Sequence, residues 1–141
     1  MLNDGLKLTG KLTIAINDEI VQEVPNLVVT AGKGYVASRM KDTSATAMSH
    51  MAIGSGTTSA AASQTALVSE LGRTGLTSTT VSGADIVYVD TFAAGTGTGA
   101  VTEAAILNAS SGGTMLCRTV FSVVNKGASD AMTITWTVTV S

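Results

Sequence analysis

The stretch Met132-Thr133-Ile134-Thr135-Trp136-Thr137-Val138-Thr139-Val140 decides the fold class of this chain. Apolar residues occupy every even position, and threonine occupies every odd position. Successive side chains of a β-strand point to opposite faces, so this alternation is typical of a strand with one buried and one hydrated face. β-Branched side chains also suit the pleated surface of a sheet. The pattern therefore predicts a strand at this place.

The start of the chain alternates in the same way and then reaches a turn. One parity is apolar apart from Gly10, namely Leu6, Leu8, Leu12, Ile14 and Ile16. The sequence Asn17-Asp18-Glu19 follows, and asparagine and aspartate tolerate the left-handed conformations of tight turns. A second strand is predicted over residues 20–29, where Pro25 marks a bulge or an edge position because proline cannot donate a ladder hydrogen bond.

The remaining segments are short and separated by turn residues. Strands are predicted over residues 48–53, 76–81 (at a sheet edge), 85–93, 100–109 and 114–124. Loops are predicted over residues 54–63, 95–99 and 110–113, and residues 125–130 are expected to close a hairpin onto the last strand. A short helix over residues 31–40, capped by Thr30, and one or two helical turns over residues 64–71, ended by Gly72, complete the prediction.

These segments predict an all-β fold in a single domain over residues 1–141. Strands at such short spacing are typical of a β-sandwich, and a count of about eight indicates the jelly-roll type, with one or two short helices. Residues 1–5 precede the first strand, and an extended N-terminal segment is one interpretation of them.

The composition excludes several classes of protein. Only 13% of the residues are charged, with eight lysines and arginines against ten aspartates and glutamates, whereas an average domain has about 25%. A basic excess, the signature of nucleic-acid binding, is absent, so no nucleic-acid partner is expected.

A folded monomer of this mass would carry one ionised side chain per roughly 380 Å² of surface. With a mean hydropathy of +0.37, this sparse charge favours a homo-oligomer or an assembly component, and a dimer is the favoured form.

No targeting or membrane signal is expected in this sequence. Residues 1–10 lack an apolar core and contain Asp4 and Lys7, so they do not resemble a secretory signal. No apolar run approaches the roughly 18 residues of a membrane span, and no membrane partner is predicted. We expect a protein made in the cytoplasm.

The search for chemistry predicts no catalytic, cofactor or metal site. The stretch from Gly5 to Leu12 nearly satisfies the phosphate-loop pattern but lacks the final Ser or Thr and alternates as a strand. The loop over residues 95–99 has glycines at alternate positions and is interpreted as a hairpin loop. His50 is interpreted as a strand residue at the surface or at a subunit contact, and Cys117 as a buried inert thiol. The protein is therefore not expected to be an enzyme.

Several stretches are similar to small virion proteins of tailed bacteriophages. They are Asn26-Leu27-Val28-Val29-Thr30-Ala31-Gly32-Lys33, Ser49-His50-Met51-Ala52-Ile53-Gly54-Ser55-Gly56-Thr57-Thr58, Gln64-Thr65-Ala66-Leu67, Glu70-Leu71-Gly72-Arg73 and Ala128-Ser129-Asp130. The order of these stretches resembles that in the cement, or decoration, proteins of short-tailed phage capsids, over nearly the whole chain. These stretches cover loops and strand ends, and no catalytic signature is among them.

The resemblance implies a self-associating jelly roll on the outer capsid surface of the virion. Such a protein bridges neighbouring subunits of the major capsid protein and stabilises the shell. The alternative is a tail or fibre component with a receptor- or carbohydrate-binding role, since jelly rolls also host lectins. A sugar site would need outward aromatic side chains beside carboxylates or amides, and aromatic residues make up only 4% of this chain.

Overall fold

The computed structural model describes residues 6–41 and 45–141 and shows a β-sandwich. Its elements are β1 (Leu8–Ile16), β2 (Glu19–Pro25), β3 (Leu27–Val28), α1 (Thr30–Lys41), β4 (His50–Gly54), β5 (Glu70–Gly75), β6 (Ser78–Ser82), β7 (Asp85–Phe92), β8 (Gly99–Leu107), β9 (Met115–Lys126) and β10 (Met132–Val140). The prediction for residues 1–5 lies outside the described residues.

The strands form two five-stranded antiparallel sheets. The first sheet has the order β2-β1-β10-β7-β6, and the second has the order β3-β9-β8-β4-β5. The all-β, two-sheet prediction is therefore confirmed. The jelly-roll type and the count of about eight strands are not, because ten strands form and consecutive strands pair as hairpins at four places.

The strand β10 lies at the centre of the first sheet and supplies much of the core. It pairs with β1 on one side and with β7 on the other. Its inner face carries Met132, Ile134, Trp136 and Val138, which are all at most 3% exposed and pack against side chains of the second sheet. Fully burying one such side chain contributes about 1.5–3 kcal/mol, so this strand alone is a large part of the hydrophobic stabilisation.

The predicted turn after β1 is confirmed and is tight. Asn17 and Asp18 adopt φ values of 49° and 69°, as the two central residues of a type I′ hairpin turn require. The neighbouring strand β2 is an edge strand, in agreement with one of the two interpretations of Pro25. The register shift in this ladder is at Val21, where β2 has one more residue than β1 between two pairs.

Three predicted connections are wrong because the chain changes sheets there. The strand predicted over residues 20–29 is divided, since β2 belongs to the first sheet and β3 to the second. Residues 125–130 and 95–99 do not close hairpins, since β9 and β8 lie in the second sheet while β10 and β7 lie in the first. Lys126 holds the two loops in which the chain crosses between the sheets, β7–β8 and β9–β10. Its buried ammonium donates to Ala93 O at 2.9 Å and to Asp130 O at 2.7 Å.

The predicted helix over residues 31–40 is confirmed as α1, but Thr30 is not its cap. The Lys33 amide donates to Val29 O at 3.0 Å, which places Thr30 inside the first turn. The helix packs closely on the start of β9 at Gly32. A Cβ atom at this position would lie 2.0 Å from Leu116 O, whereas a Cβ atom at Gly34 would have no heavy atom within 4 Å.

We predict opposite effects for the two helical glycines. Gly32→Ala should lower the free energy of unfolding by about 2–3 kcal/mol, because the new methyl group overlaps the β9 backbone. Gly34→Ala is the matched control and should raise it by about 0.5–1 kcal/mol through helix propensity alone. Urea unfolding followed by circular dichroism measures both changes. Stabilisation by both substitutions would show that α1 does not pack on β9 in this way.

Candidate interaction surfaces

A buried ion pair organises the outer face of the second sheet. Arg118 on β9 donates to Glu103 on β8 through Nη2 at 2.8 Å and Nε at 3.1 Å, and neither side chain is exposed. The segment of residues 55–69, here called the strap, lies over this pair. The Glu103 carboxylate accepts backbone N–H groups of the strap from Gly56, Val68 and Ser69 at 2.8–3.0 Å.

The strap gives the second sheet a small second core. Arg118 donates to Thr58 O at 2.9 Å and to Gln64 Oε1 at 3.0 Å, so both members of the ion pair hold the strap. Leu67 of the strap packs on an apolar cluster apart from the main core, formed by Val29, Ala52, Ala105, Leu107 and Met115. Both faces of this sheet are therefore covered around β8 and the beginning of β9.

The electrostatics of Glu103 follow from these contacts. Burial by itself raises the pKa of this carboxyl, but hydrogen bonds from the Val68 and Ser69 amides, from Arg118 and from the Gly56 amide outweigh it and hold the pKa below its usual range. Glu103 is therefore ionised at neutral pH, and its charge is balanced within the protein.

The helical turns predicted over residues 64–71 are wrong, because Glu103 binds backbone amides of this segment. The Val68 and Ser69 amides donate to Glu103 and not to carbonyls of a preceding helical turn. Glu70 then begins β5. A hydrogen bond across 34 residues leaves no local sequence signal, and Glu103 is one of ten acidic residues in the sequence.

Asp90 is a second buried acid, on the inner face of β7 between Tyr88 and Phe92. It is 1% exposed and accepts a hydrogen bond from the Thr74 hydroxyl on β5, across the two sheets. Burial raises the pKa of Asp90 to about 6, and hydrogen bonds from Thr74, Thr91 and Thr77 offset only part of this effect. Compared with the unfolded chain, the fold therefore shifts Asp90 toward its protonated form.

The residues that the sequence singled out for chemistry are not brought together. Cys117 is fully buried as predicted, and burial raises the pKa of its thiol. His50 is half-buried at the start of β4 and lies beside Ser49, with 2.7 Å between Nδ1 and Oγ. Within residues 6–41 and 45–141, no acidic side chain hydrogen-bonds to His50 to complete a catalytic triad. Residues 8–12 of the phosphate-loop-like stretch lie in β1, while Gly5 is outside the described part.

The aromatic side chains are turned inward and offer no stacking platform for sugars. Tyr88, Phe92, Phe121 and Trp136 are buried, and Tyr35 is half-buried. These five are all the aromatic residues of the chain. The exposed apolar surface is therefore aliphatic.

An open apolar groove lies between α1 and the beginning of β1. This feature, here called the α1 groove, has a volume of about 720 Å³ and is lined by Leu6, Lys7, Leu8, Thr9, Lys33, Val36, Ala37, Met40 and Val140. Met40 is 81% exposed and Leu6 is 73% exposed, so the groove leaves two large apolar side chains together in water. Lys7 and Lys33, both exposed, are the charged residues that line it.

A second exposed apolar feature is the turn end of the β1–β2 hairpin. The hairpin tip, defined as residues 17–21, carries Ile20 at 67% exposure and Val21 at 46%, next to the carboxylates of Asp18 and Glu19. Asn17 anchors it: its amide N–H donates to Ala131 O, its side chain donates to Asp130, and its side-chain oxygen accepts the Ala131 amide, all at 2.9–3.0 Å.

A third apolar patch lies on the edge strand β5. Val68, at the end of the strap, is 53% exposed, and Leu71 on β5 is 38% exposed. The strand β5 pairs with β4 on one side only, so its other edge offers unpaired backbone groups. We call Val68 and Leu71 the β5 patch.

Comparison of the chain with protein families, with curated proteins and with solved structures finds no match. No helix in the part of the chain that the structure describes is long and apolar enough to cross a membrane. Over the same residues, no group of three or more His, Cys, Asp and Glu side chains is placed to hold a metal ion.

We predict that Glu103→Gln destabilises the protein by about 3–5 kcal/mol, because it leaves the Arg118 charge buried and unbalanced. The strap should then be cut faster by elastase, a protease that accepts its small residues. Glu70→Gln is the matched control: the Glu70 side chain is 35% exposed, and Arg73, its partner at 2.7 Å, keeps hydrogen bonds to Ala109 O and Gly112 O. Its loss should therefore cost only about 1 kcal/mol. Equal, small effects of both substitutions in urea unfolding would contradict the role given to Glu103.

We predict that Asp90→Asn stabilises the protein at neutral pH. Since the folded-state pKa of about 6 lies above the usual 3.8, the stability due to protonated Asp90 is present below pH 4 and is lost as the pH rises through 6. The difference in unfolding free energy between variant and wild type should therefore grow by on the order of 2 kcal/mol from pH 4 to pH 7.

Asp18→Asn is the control for this measurement, because Asp18 is exposed in the turn and asparagine tolerates its positive φ. Urea titrations at several pH values measure both differences. A difference for Asp90→Asn that does not change with pH would show that Asp90 is ionised in the folded protein throughout this range.

Proposed function

We propose that this protein is a phage virion structural protein that acts as capsid cement. It binds the outer surface of the shell, bridges neighbouring subunits of the major capsid protein and resists the pressure of the packaged DNA. The resemblance of the sequence to cement proteins names the partner. The proposal needs only the two-sheet sandwich, and not the jelly-roll connectivity that the resemblance also implies.

One observation carries this proposal: the exposed aliphatic side chains are grouped in three separate patches on one sandwich. The α1 groove, the hairpin tip and the β5 patch contain six of the eight large apolar side chains that are exposed in the described residues. A protein with several contact patches binds more than one neighbour at once, as bridging requires. An enzyme or lectin would instead present one concave pocket in which a few polar groups converge.

The packing of the sandwich is also suited to a protein that must resist mechanical force. Its core joins both sheets through side chains at or near zero exposure, and the strap and Lys126 fix the connecting loops to buried polar groups. Stable interfaces bury on the order of 1,200–2,000 Å², and many copies on one shell multiply a modest contact.

The β5 patch is the surface that we assign to the shell protein. Its neighbouring edge offers backbone groups for strand addition by an extended segment of a partner, with Val68 and Leu71 beside it to bury apolar area. The α1 groove carries lysines and the hairpin tip carries carboxylates, so the charges of these two patches are opposite in sign.

We predict that particles lacking this protein release DNA at a lower temperature than complete particles, and that adding the purified protein restores the release temperature. Quantitative gel analysis of the virion should give hundreds of copies. Leu71→Asp should reduce binding to the depleted particles at least about tenfold, because it places a charge in an interface that excludes water.

Thr135→Asp is the matched control, since it places the same charge on the exposed threonine face of β10. Equal heat resistance with and without the protein would contradict the cement function. A copy number of a few dozen in multiples of three or six, located at the tail, would indicate the tail or fibre alternative.

A further inference from the structure

We propose that copies of this protein associate head to tail, with the hairpin tip of one copy docked in the α1 groove of the next. This contact goes beyond the proposed function, because it joins two copies of this chain whether or not they are bound to a shell. The occupant of the groove is thus a second copy, recognised by its acidic and apolar tip.

The groove offers what such a tip requires. Its walls are aliphatic, with Met40 and Leu6 largely exposed, so an occupant would remove a substantial apolar area from water. Lys7 and Lys33 line the groove, and Arg39 and Lys41 lie on the same helix. A docked segment would therefore meet aliphatic side chains with several cations around them.

The tip has the complementary chemistry. Asp18 and Glu19 lie beside the exposed Ile20 and Val21, so two carboxylates adjoin two aliphatic side chains on one turn. The three hydrogen bonds of Asn17 to the β9–β10 loop hold the turn in one conformation. A rigid tip loses little conformational entropy on docking, which favours association.

The charges of the molecule are divided between its two ends. The ion pairs of the described residues use Lys11, Arg73 and Arg118, and Lys126 is buried among carbonyls. The other four cations, Lys7, Lys33, Arg39 and Lys41, all lie at the α1 end. Asp85 also lies there and accepts a hydrogen bond from Thr139. Asp4 and Asp42 are near Lys7 and Lys41 in sequence and lie outside the described residues. When Asp4, Asp42 and Asp85 are all counted, the four cations still outnumber the acids.

The opposite end is acidic. It carries Asp18, Glu19 and Asp130, of which Asp130 is partly balanced by the neighbouring Lys126. Hydrogen bonds from the Asn17 side chain and the Gly127 amide, together with the Lys126 charge, hold the pKa of Asp130 below its usual range. Unlike charges at the two ends favour end-to-end encounter and disfavour contact between like ends.

The length of β1 requires that the partner is another molecule. The groove lies at the beginning of this nine-residue strand and the tip follows its end, so the two are roughly 30 Å apart in one copy. In the head-to-tail arrangement proposed here the contact is heterologous, and repeating it gives a ring or an open row. On a shell, such rows would join bridging copies to one another.

Reciprocal charge reversal tests the proposal. The groove variant is Lys7→Glu/Lys33→Glu, and the tip variant is Asp18→Asn/Glu19→Lys, in which asparagine keeps the positive φ of the turn. Sedimentation velocity at about 20 mM and about 500 mM NaCl, where the screening lengths are roughly 20 Å and 4 Å, measures self-association. Wild type should associate at low salt and weaken at high salt.

Each variant alone should associate at least about tenfold more weakly than wild type, because its two ends now carry the same sign. An equal mixture of the two variants should recover association at low salt, since the acidic groove of one then meets the basic tip of the other. A symmetric contact between two grooves or between two tips would instead be changed by only one of the two variants on its own.

Lys11→Glu is the matched control on the same strand, away from both ends, and should associate as wild type does. Circular dichroism and urea unfolding of every variant verify the fold.

Wild type that stays monomeric at low salt, or variants that are not rescued by mixing, would overturn the proposal. Variants that self-associate normally but fail to bind depleted particles would also overturn it and would assign the groove to the shell protein. Loss of particle binding by Leu71→Asp alone concerns only the proposed function.

Discussion

Burial of the Trp136 face of β10 against the second sheet is the interaction on which the rest of the structure depends. Because β10 pairs on both sides along its length, its inner side chains lie at the middle of the core and fix the registers of β1 and β7. Those registers set where the hairpin tip projects and where β1 begins beside α1. The exposed surfaces are consequences of this packed strand.

The second sheet depends on a polar interaction as well. Glu103 and Arg118 are costly to remove from water, and apolar residues of similar volume would often be as stable. Their specific contribution is geometric, because the carboxylate accepts three strap amides and the guanidinium donates to two strap acceptors. We infer that the pair selects one path for the strap over a surface that small side chains alone would leave undefined.

The positions of the few charged residues in the structure matter more than their number. In the described residues, three of the eight cations form ion pairs and Lys126 is buried among carbonyl groups, while the other four lie at the α1 end, opposite the acidic hairpin tip. With so few ionised groups, this separation gives the two ends charges of opposite sign. It is compatible with a protein that serves in assembly, where orientation between neighbours matters more than chemistry at a single site.

The sequence by itself determined the all-β class, the alternating strands β1 and β10, the helix α1 and the Asn17-Asp18 turn, because each depends on neighbours within a few residues. It did not indicate where the chain crosses between sheets, nor the roles of Glu103 and Asp90. A buried carboxylate on a strand cannot be told from an exposed one until partners 16 or 34 residues away are in place. The α1 groove and the charged ends likewise exist only in the tertiary structure, since they combine strand ends and a helix that are distant along the chain.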